Sequence, residues 1–530
     1  MSVPRWTPRK SYTRQEKYLL KRLRRHRKLF AFLRDRRLEL FDEDFQDELE
    51  AMYRGTGAGK DPLPPALLAM ATLLQAYAKV SDAEAVELSV VDLRWQMVLD
   101  HLGDESPAFS QGALHDFRQR MIRHDMDRRL LERTVELARE TKAFDFKKLP
   151  KTLSVAIDSA PLEGAGRVED TFNLIAHAAR KVVTCISGML DWPEDRVAKE
   201  AGIPILLASS TKKALDIEWS DPEAKADAIE RLARQLDSLE AWIDKELPTL
   251  MPNAPLKEHL DVLRKLRDQD LEPDPSGSGK RRIREGVAKD RRVSVEDPDM
   301  RHGRKSSKRR FDGYKRHIAT DLDTNLILAA AMTPANQRDD QAAPAIESEM
   351  KGAGQNIGEL HIDRGYVTAA MVTDLLDRRA RVFCKPWVAR NGDLYTKADF
   401  KLDLRAKTIT CPAGHTERFK LDSIVEFGHD RCVRCRLRTK CVKRTGARGR
   451  SVRIAPDEQF QQRMRKLIAT PKGREQLRRR VPVEHRLAHV VYRQGRRARY
   501  RGVRANLFDL RRASAVTNLQ TIDRELAKAA

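Results

Sequence analysis

The first 140 residues carry apolar side chains at helical spacing. They predict one helix over residues 14–53 and a bundle of short helices from residue 65 to about residue 137. The positions are Leu19, Leu23, Phe30, Leu33 and Leu40 in the first segment and Leu67, Met70, Leu74 and Tyr77 in the second. Ser110 could cap a further helix whose arginines meet a phosphate backbone, although an ordinary amphipathic helix explains that pattern equally well.

At residue 151 the pattern changes to short apolar runs of the buried-strand type. Such runs occur at about residues 153, 313, 326, 358 and 381, and a helical segment near residues 368–377 separates the last two. The runs at 313 and 326 flank a polar turn and so predict a hairpin. Strands mixed with helices in this order predict an α/β fold in which helices cover a mixed sheet.

Two long insertions interrupt these strands, at residues 160–300 and 388–475. The first contains apolar residues at alternating steps of three and four, which predicts an antiparallel helical hairpin whose leading role is scaffolding. Its positions are Ile229, Leu232, Leu236, Leu239 and Ile243, with Leu256, Leu260 and Leu263 on the returning arm. Residues 272–310 are basic and rich in Pro, Gly and Ser, which predicts a linker or mobile loop.

The charge of the chain is concentrated in two stretches. The 530 residues hold 102 Lys and Arg against 78 Asp and Glu, and residues 431–520 alone hold 27 basic against 5 acidic residues. Residues 1–40 add 14 basic against 3 acidic residues. A folded basic surface of this size favours a polyphosphate partner over a merely solvated helix face, so we expect nucleic-acid binding.

Composition also excludes other classes of protein. No apolar run approaches the roughly 18 residues that span a bilayer, so we expect no membrane partner. The N-terminus lacks a secretory signal pattern, and six cysteines in so long a chain do not form a disulfide framework. We therefore expect a protein of the reducing cytoplasm, associated with the nucleoid if its partner is DNA.

Three acids are candidates for chemistry. Asp158 and Asp363 each follow a buried-type strand directly, at a sheet edge where ligand sites tend to form. An aspartate at such a position more often caps a turn. Glu484 is one of few acids in the basic region, which suits either an ion pair or a metal ligand. Composition alone does not choose between these alternatives.

The residues around these acids resemble the DDE transposases of bacterial insertion sequences. Residues 158–174 resemble the segment after the first catalytic Asp of that family, and residues 62–116 resemble its helical N-terminal domain. The other similar segments follow in the family's order: Asp297–Arg301 with Gly313–Lys315, Thr333–Asn336 with Asp339, Asp363–Tyr366, and Glu484 with Arg499–Gly502. The resemblance implies an RNase H-like fold in which Asp158, Asp363 and Glu484 form a metal-binding triad.

The chemistry implied by this resemblance is in-line phosphodiester displacement with two Mg²⁺ or Mn²⁺ ions. Asp158 would bridge both ions, while Asp363 and Glu484 would each hold one. The implied function is binding of the element's terminal inverted repeats, strand cleavage and strand transfer, in at least a dimer that holds two DNA ends and a target. The alternatives are a catalytically silent DNA-binding protein on the same scaffold and a repair or resolving nuclease.

DNA contacts are expected from basic residues in the same motifs. Some relatives carry the pattern Y-x2-R-x3-E-x6-K around the glutamate; here Arg480 fits, but Leu477 and Val491 replace the Tyr and the Lys. Arg486 or Arg493 would then contact the scissile phosphate. The full expected set is Lys315, Arg364, Arg480, Arg486, Arg493, Arg499 and Arg501.

Four cysteines lie within 31 positions of the second insertion. Cys411, Cys432, Cys435 and Cys441 include one C-x2-C pair, which suits a structural zinc site; His415 could replace one thiol, and four unrelated thiols are the alternative. Related transposases carry similar cysteines in this insertion.

These expectations divide the chain into four parts. They are a helical DNA-binding domain (1–140), an RNase H-like core (150–400) with a helical-hairpin insertion at about 165–300, a small cysteine-rich zinc-binding insertion (401–470), and a catalytic-helix region (471–520) that completes the core.

Overall fold

The computed structural model describes residues 3–23, 27–53, 61–306, 308–351, 356–442 and 449–529. In the N-terminal part, the described residues form the helices α1 (Arg14–Arg22), α2 (Arg27–Leu40), α3 (Glu43–Glu50), α4 (Pro65–Ala78), α5 (Asp82–Val91), α6 (Leu93–Leu99), α7 (Gln111–Arg123) and α8 (Met126–Glu140).

The prediction of one helix over residues 14–53 is wrong, because local caps divide this segment. Asp42 begins α3 by accepting a hydrogen bond from the Phe45 backbone N–H. The predicted cap at Ser110 is confirmed, since its hydroxyl accepts a hydrogen bond from the Ala113 backbone N–H at 3.1 Å.

The central strand β1 (Leu153–Glu163) leads into the first insertion. That insertion contains α9 (Thr171–Leu190), α10 (Glu194–Glu200), α11 (Pro204–Leu207), α12 (Thr211–Leu215), α13 (Pro222–Glu246), α14 (Leu256–Asp270), β2 (Leu271–Pro273) and β3 (Arg281–Ile283). The predicted antiparallel hairpin is confirmed as α13 and α14, with Glu240 facing Arg264 and Asp237 facing Arg267. The insertion has its own hydrophobic core.

The chain then returns to the main sheet through β4 (Arg301–Arg304), β5 (Arg310–Asp321), β6 (Ile327–Pro334), α15 (Ala343–Lys351), β7 (Ile357–Ile362), α16 (Ala370–Asp377) and β8 (Arg381–Cys384). The five predicted strands are confirmed as β1, β5, β6, β7 and β8. The prediction of a linker over 272–310 is wrong for its second half, because Val293, Ser294 and Asp297 are fully buried and β4 joins the sheet.

The main sheet is six-stranded and mixed. Its order is β4-β5-β1-β7-β8, and β6 also pairs with β5. Strand β5 is antiparallel to β1, β4 and β6, whereas β1, β7 and β8 are parallel to one another. The helix α16 makes the crossover that two parallel neighbours require.

The second insertion follows β8. It contains β9 (Lys401–Asp403), β10 (Thr408–Thr410), β11 (Thr416–Arg418), β12 (Ser423–Glu426), α17 (His429–Val433) and β13 (Ser451–Ile454), packed around a small core of its own. The chain ends with α18 (Glu458–Ala469), α19 (Pro471–Arg478), α20 (Val481–Gln494) and α21 (Val503–Ala529).

Helix α21 joins the N-terminal helices to the sheet. It packs against α4, α8 and β6, and one hydrophobic core contains side chains from all of these elements. Within the residues that the structure describes, no helix is both long and apolar enough to cross a bilayer.

Candidate active site

Asp158 lies inside the central strand of the main sheet. The expectation that it follows the end of a strand is wrong, because residues 159–163 continue β1 by pairing with β5. Its side chain is 16% exposed. One carboxylate oxygen, Oδ1, accepts hydrogen bonds from the Ser159 backbone N–H at 2.9 Å and from Arg480 Nη1 at 3.2 Å.

Asp363 follows β7 directly, as predicted. The parallel strands β1 and β7 place Ala156 opposite His361, and continuing this register by two residues brings Asp158 beside Asp363. Asp363 is exposed and precedes the 3-10 turn Arg364–Tyr366. Asp363, just past the end of β7, therefore lies at the same level of the sheet as Asp158 of the neighbouring strand β1.

Glu484 reaches the same region from a helix. It lies in the first turn of α20, which packs against β1 and β5. Its side chain is 51% exposed, and Oε1 accepts a hydrogen bond from Arg480 Nη2 at 2.8 Å. Because Arg480 also bonds Asp158, a single guanidinium group bridges two of the three acids.

The electrostatics of Asp158 reflect this crowding. Burial raises the pKa of the Asp158 carboxyl above its ordinary value, and the carboxylates of Glu484 and Asp363 raise it further. Arg480 opposes the increase. Glu484 and Asp363 are thus close enough to disfavour the charge on Asp158, and Arg480 compensates part of that effect.

A second group of residues lies beneath the turn after Asp363. Tyr366 is fully buried, and burial raises the pKa of its phenol well above the ordinary value, with further contributions from Asp339, Asp158 and Asp363. Lys315 Nζ donates to Asp339 Oδ1 at 2.9 Å. Tyr366 and Asp339 belong to segments that carry the family resemblance, yet the sequence gives no signal that they meet near the acids.

Several of the expected DNA contacts lie on the surface. Arg499 and Arg501 are exposed, although Arg501 Nη1 is 2.6 Å from Glu296 Oε2. Arg364 is half-buried next to Asp363, with its guanidinium 5.5 Å from the ring centroid of the exposed Trp387.

Other expected contacts are engaged within the protein. Arg493 is only 7% exposed and lies between α20 and α21, where its Nε donates to Thr517 Oγ1 at 3.4 Å, so its expected role in DNA contact does not fit its position. Arg486 is half-buried and donates to Thr521 Oγ1 at 2.8 Å.

The four candidate zinc ligands come together in the second insertion. Cys411, Cys432, Cys435 and Cys441 line one small cavity of about 30 Å³ together with His415. Burial raises the pKa of the Cys441 thiol, and the other three thiols add to the increase. The four cysteines predicted from the sequence therefore line one cavity, but among the described residues they are not placed so that three or more of them could bind one metal ion.

Neither set of residues forms a preassembled metal centre. Among the residues that the structure describes, no group of three or more Cys, His, Asp or Glu side chains is placed so that it could hold a metal ion. The donor chemistry does fit: the carboxylates suit a hard divalent cation and the thiols suit zinc. At the carboxylate site, the Arg480 guanidinium already pairs with Asp158 and Glu484 and offsets part of their charge.

Comparison with known families gives two matches. Residues 20–120 match the family model of a transposase domain (DUF772), and residues 410–522 match that of a transposase DDE domain. The second match includes Glu484 and Arg480 but stops short of Asp158 and Asp363. No curated protein and no solved structure matches the chain.

Proposed function

Because the chain belongs to the DDE transposases of insertion elements, we propose that it binds the terminal inverted repeats of such an element and catalyses strand cleavage and strand transfer. The observation that carries this proposal is the meeting of three acids from separate elements. The strand register brings Asp363 beside Asp158, Arg480 bridges Asp158 and Glu484, and both Asp363 and Glu484 act electrostatically on Asp158. Acids from distant segments meet in this way when a site requires concentrated negative charge.

Transposase DDE domains generally use divalent metal ions. We propose that Asp158, Asp363 and Glu484 hold two Mg²⁺ or Mn²⁺ ions. When bound, these ions would activate the attacking oxygen and stabilise the leaving oxygen at the phosphate. The chain itself contributes the position of the carboxylates and the guanidinium of Arg480, which can turn from the acids to a phosphate oxygen.

The proposed DNA surface adjoins these acids. Arg364 follows Asp363 in the chain and Arg480 lies between Asp158 and Glu484. Lys315 and Arg486 would have to leave their partners Asp339 and Thr521 to contact DNA. The exposed Arg499 and Arg501 extend the basic charge beyond α20. Basic side chains arranged around a carboxylate site attract the phosphate backbone and fix its register.

The finer assignments of fold and assembly belong to the same proposal. The mixed sheet with helices supports an RNase H-like core over residues 150–400, completed by residues 471–520 and preceded by a DNA-binding helical domain over 1–140. A transposase must bring two ends together, so we propose that it acts on double-stranded DNA as a homodimer in the nucleoid.

The cysteine-rich insertion, residues 401–470, is proposed to bind structural zinc. The cavity that Cys411, Cys432, Cys435 and Cys441 share supports this, as does the small size of the core around it. Zinc would stabilise a segment whose own apolar core is limited.

The decisive experiment combines end binding with cleavage. Labelled DNA that carries the element's own ends is incubated with Mg²⁺ and wild-type protein, Asp363→Ala, or the control Asp377→Ala, whose aspartate is exposed on α16. We expect Asp363→Ala to abolish nicking and joining while end binding stays within a few-fold of the wild type, since the lost group holds no DNA contact of its own.

Asp377→Ala should cleave like the wild type. If purified Asp363→Ala still nicks the ends, the proposed catalytic site is wrong. If the wild type binds the ends but never cuts them, the chain is instead a silent DNA-binding protein on this scaffold.

A further inference from the structure

The direction of the Asp363 carboxylate is set by the backbone of residue 363 and not by a side-chain partner among the described residues. It is exposed, and within the described residues its side chain takes part in no hydrogen bond or ion pair. Its neighbour in the site, Asp158, accepts hydrogen bonds from Ser159 and Arg480. The direction of the Asp363 carboxylate therefore depends on the turn that follows it.

That turn is anchored by one side chain. The 3-10 turn Arg364–Tyr366 begins where the Tyr366 backbone N–H donates to the Asp363 carbonyl at 3.1 Å. The ring of Tyr366 is fully buried. A three-residue 3-10 turn has few hydrogen bonds of its own. Its orientation therefore depends on the packing of its buried side chain, here Tyr366.

The phenol of Tyr366 contacts polar side chains of the sheet. Its oxygen lies 2.6 Å from His317 Nδ1. The Ser159 side chain is near enough to oppose the increase in the pKa of the phenol. His317 Nε2 lies 3.0 Å from Thr333 Oγ1, so both ring nitrogens are engaged. His317 is itself fully buried on β5, opposite Ser159 of β1. The phenol thus connects the turn to the strand that carries Asp158.

The other side of the turn leaves no room for adjustment. A Cβ added at Gly365 would lie 2.5 Å from Asp339 Oδ2, and Asp339 is fixed by its ion pair with Lys315. The turn is therefore enclosed between Asp339 on one side and His317 on the other.

We propose that Tyr366 is a positioning residue, which fixes the Asp363 carboxylate relative to Asp158 by anchoring the turn to His317 and Ser159. This inference rests on the proposed function, because it concerns the binding of divalent cations at the same acids. Without the phenol hydroxyl the ring still fills its cavity, but the turn loses the hydrogen bond that connects it to His317 of β5. The carboxylate then samples more directions, and the cation is bound less tightly.

The test is Mn²⁺ titration of the full chain, followed by electron paramagnetic resonance. Tyr366→Phe is compared with Thr333→Val, which removes a buried hydroxyl from the other nitrogen of the same histidine without touching the turn. We expect Tyr366→Phe to weaken Mn²⁺ binding by about 10- to 100-fold, the range found when residues supporting a metal ligand are lost. Thr333→Val should change the Mn²⁺ affinity by less than about 2-fold. It should nevertheless lower the melting temperature about as much as Tyr366→Phe does.

Ser159→Ala provides a second variant, which loses only the other partner of the phenol and should weaken Mn²⁺ binding in the same direction by a smaller factor. Asp363→Ala serves as the reference for a lost ligand. The cleavage rates of Tyr366→Phe and Ser159→Ala should fall with their Mn²⁺ affinity and recover at higher Mn²⁺ concentration, whereas Asp363→Ala should not recover.

The outcomes separate this inference from the proposed function. The positioning role alone would be refuted if Asp363→Ala weakens Mn²⁺ binding but Tyr366→Phe and Ser159→Ala bind Mn²⁺ as the wild type does. Wild-type affinity that does not depend on Asp363 would refute the proposed carboxylate site itself. An equal loss of Mn²⁺ affinity in Tyr366→Phe and Thr333→Val would show that the phenol contributes only to general stability. That result would overturn the inference.

Discussion

Replacing Arg480 with Gln is expected to tighten the binding of divalent cations to the DNA-free protein while it slows DNA cleavage. In the structure the guanidinium bridges Asp158 and Glu484, two of the three acids proposed to hold the ions. A cation must displace or share this internal counter-charge before it can bind. Arg480 is also one of the residues proposed to contact DNA, so its loss should slow cleavage once DNA is present.

The expected size of the effect follows from the two contacts. At an effective dielectric constant of about 20, the Coulomb attraction across the 3.2 Å separation from Asp158 is about 5 kcal/mol before desolvation is subtracted. The contact with Glu484, which is 51% exposed, contributes no more than about 1 kcal/mol. We take about 1–2 kcal/mol as the net strength of the bridge, which corresponds to cation binding that is about 5- to 30-fold tighter in Arg480→Gln.

The assay is Mn²⁺ titration at pH 8, where the raised pKa of Asp158 has the least influence on its charge. Arg478→Gln is the matched control: it removes the same charge from an exposed side chain two residues away. We expect no more than about a 2-fold change in Arg478→Gln, since exposed charges at longer range are screened. Unchanged or weaker Mn²⁺ binding in Arg480→Gln would refute the view that this guanidinium competes with the cations.

Two further predictions concern buried groups. Burial lowers the pKa of His317 from 6.5 to about 3. Between these two pH values the unfolded chain binds a proton at this histidine and the folded protein does not. The free energy of unfolding should therefore be highest above pH 6.5 and fall by up to about 1.4 kcal/mol per pH unit as the pH drops from 6.5 towards 3. Acid denaturation of His317→Gln should lack this contribution, and an identical pH profile would contradict the assignment. For the cysteine-rich insertion, elemental analysis of protein purified without chelator should find about one zinc per chain. Cys432→Ser should lose that zinc, whereas a zinc-free wild type would rule the site out.

The strands of the sheet could be predicted because their local patterns are strong. The run Leu153–Ile157 is mostly apolar and short, and the run at the start of β6 is continuously apolar. Such runs are typical of strands that are buried on both faces. The position of Asp363 followed from the end of β7, which the sequence marks clearly.

The end of β1 could not be predicted in the same way. Residues 159–163 include Pro161 and carry no apolar alternation, yet they extend the strand because β5 pairs with them along their whole length. Pairing between strands more than 150 residues apart is a tertiary effect that overrides local preference. The contact of Tyr366 with His317 escaped prediction for the same reason, since it depends on how two strands and a turn meet.

The basic charge along the chain overstates the surface available to DNA. The excess in residues 431–520 predicted a charged surface, but Arg493, Arg511 and Arg512 from this stretch are buried. Arg511 pairs with Glu349 and with Asp127 of α8, so it connects α21 to the N-terminal helices instead of facing solvent. A buried guanidinium with fixed partners contributes to specificity of packing and is costly to leave unpaired. If the chain binds DNA as proposed, the attraction must therefore come from arginines that stay exposed, such as Arg499 and Arg501.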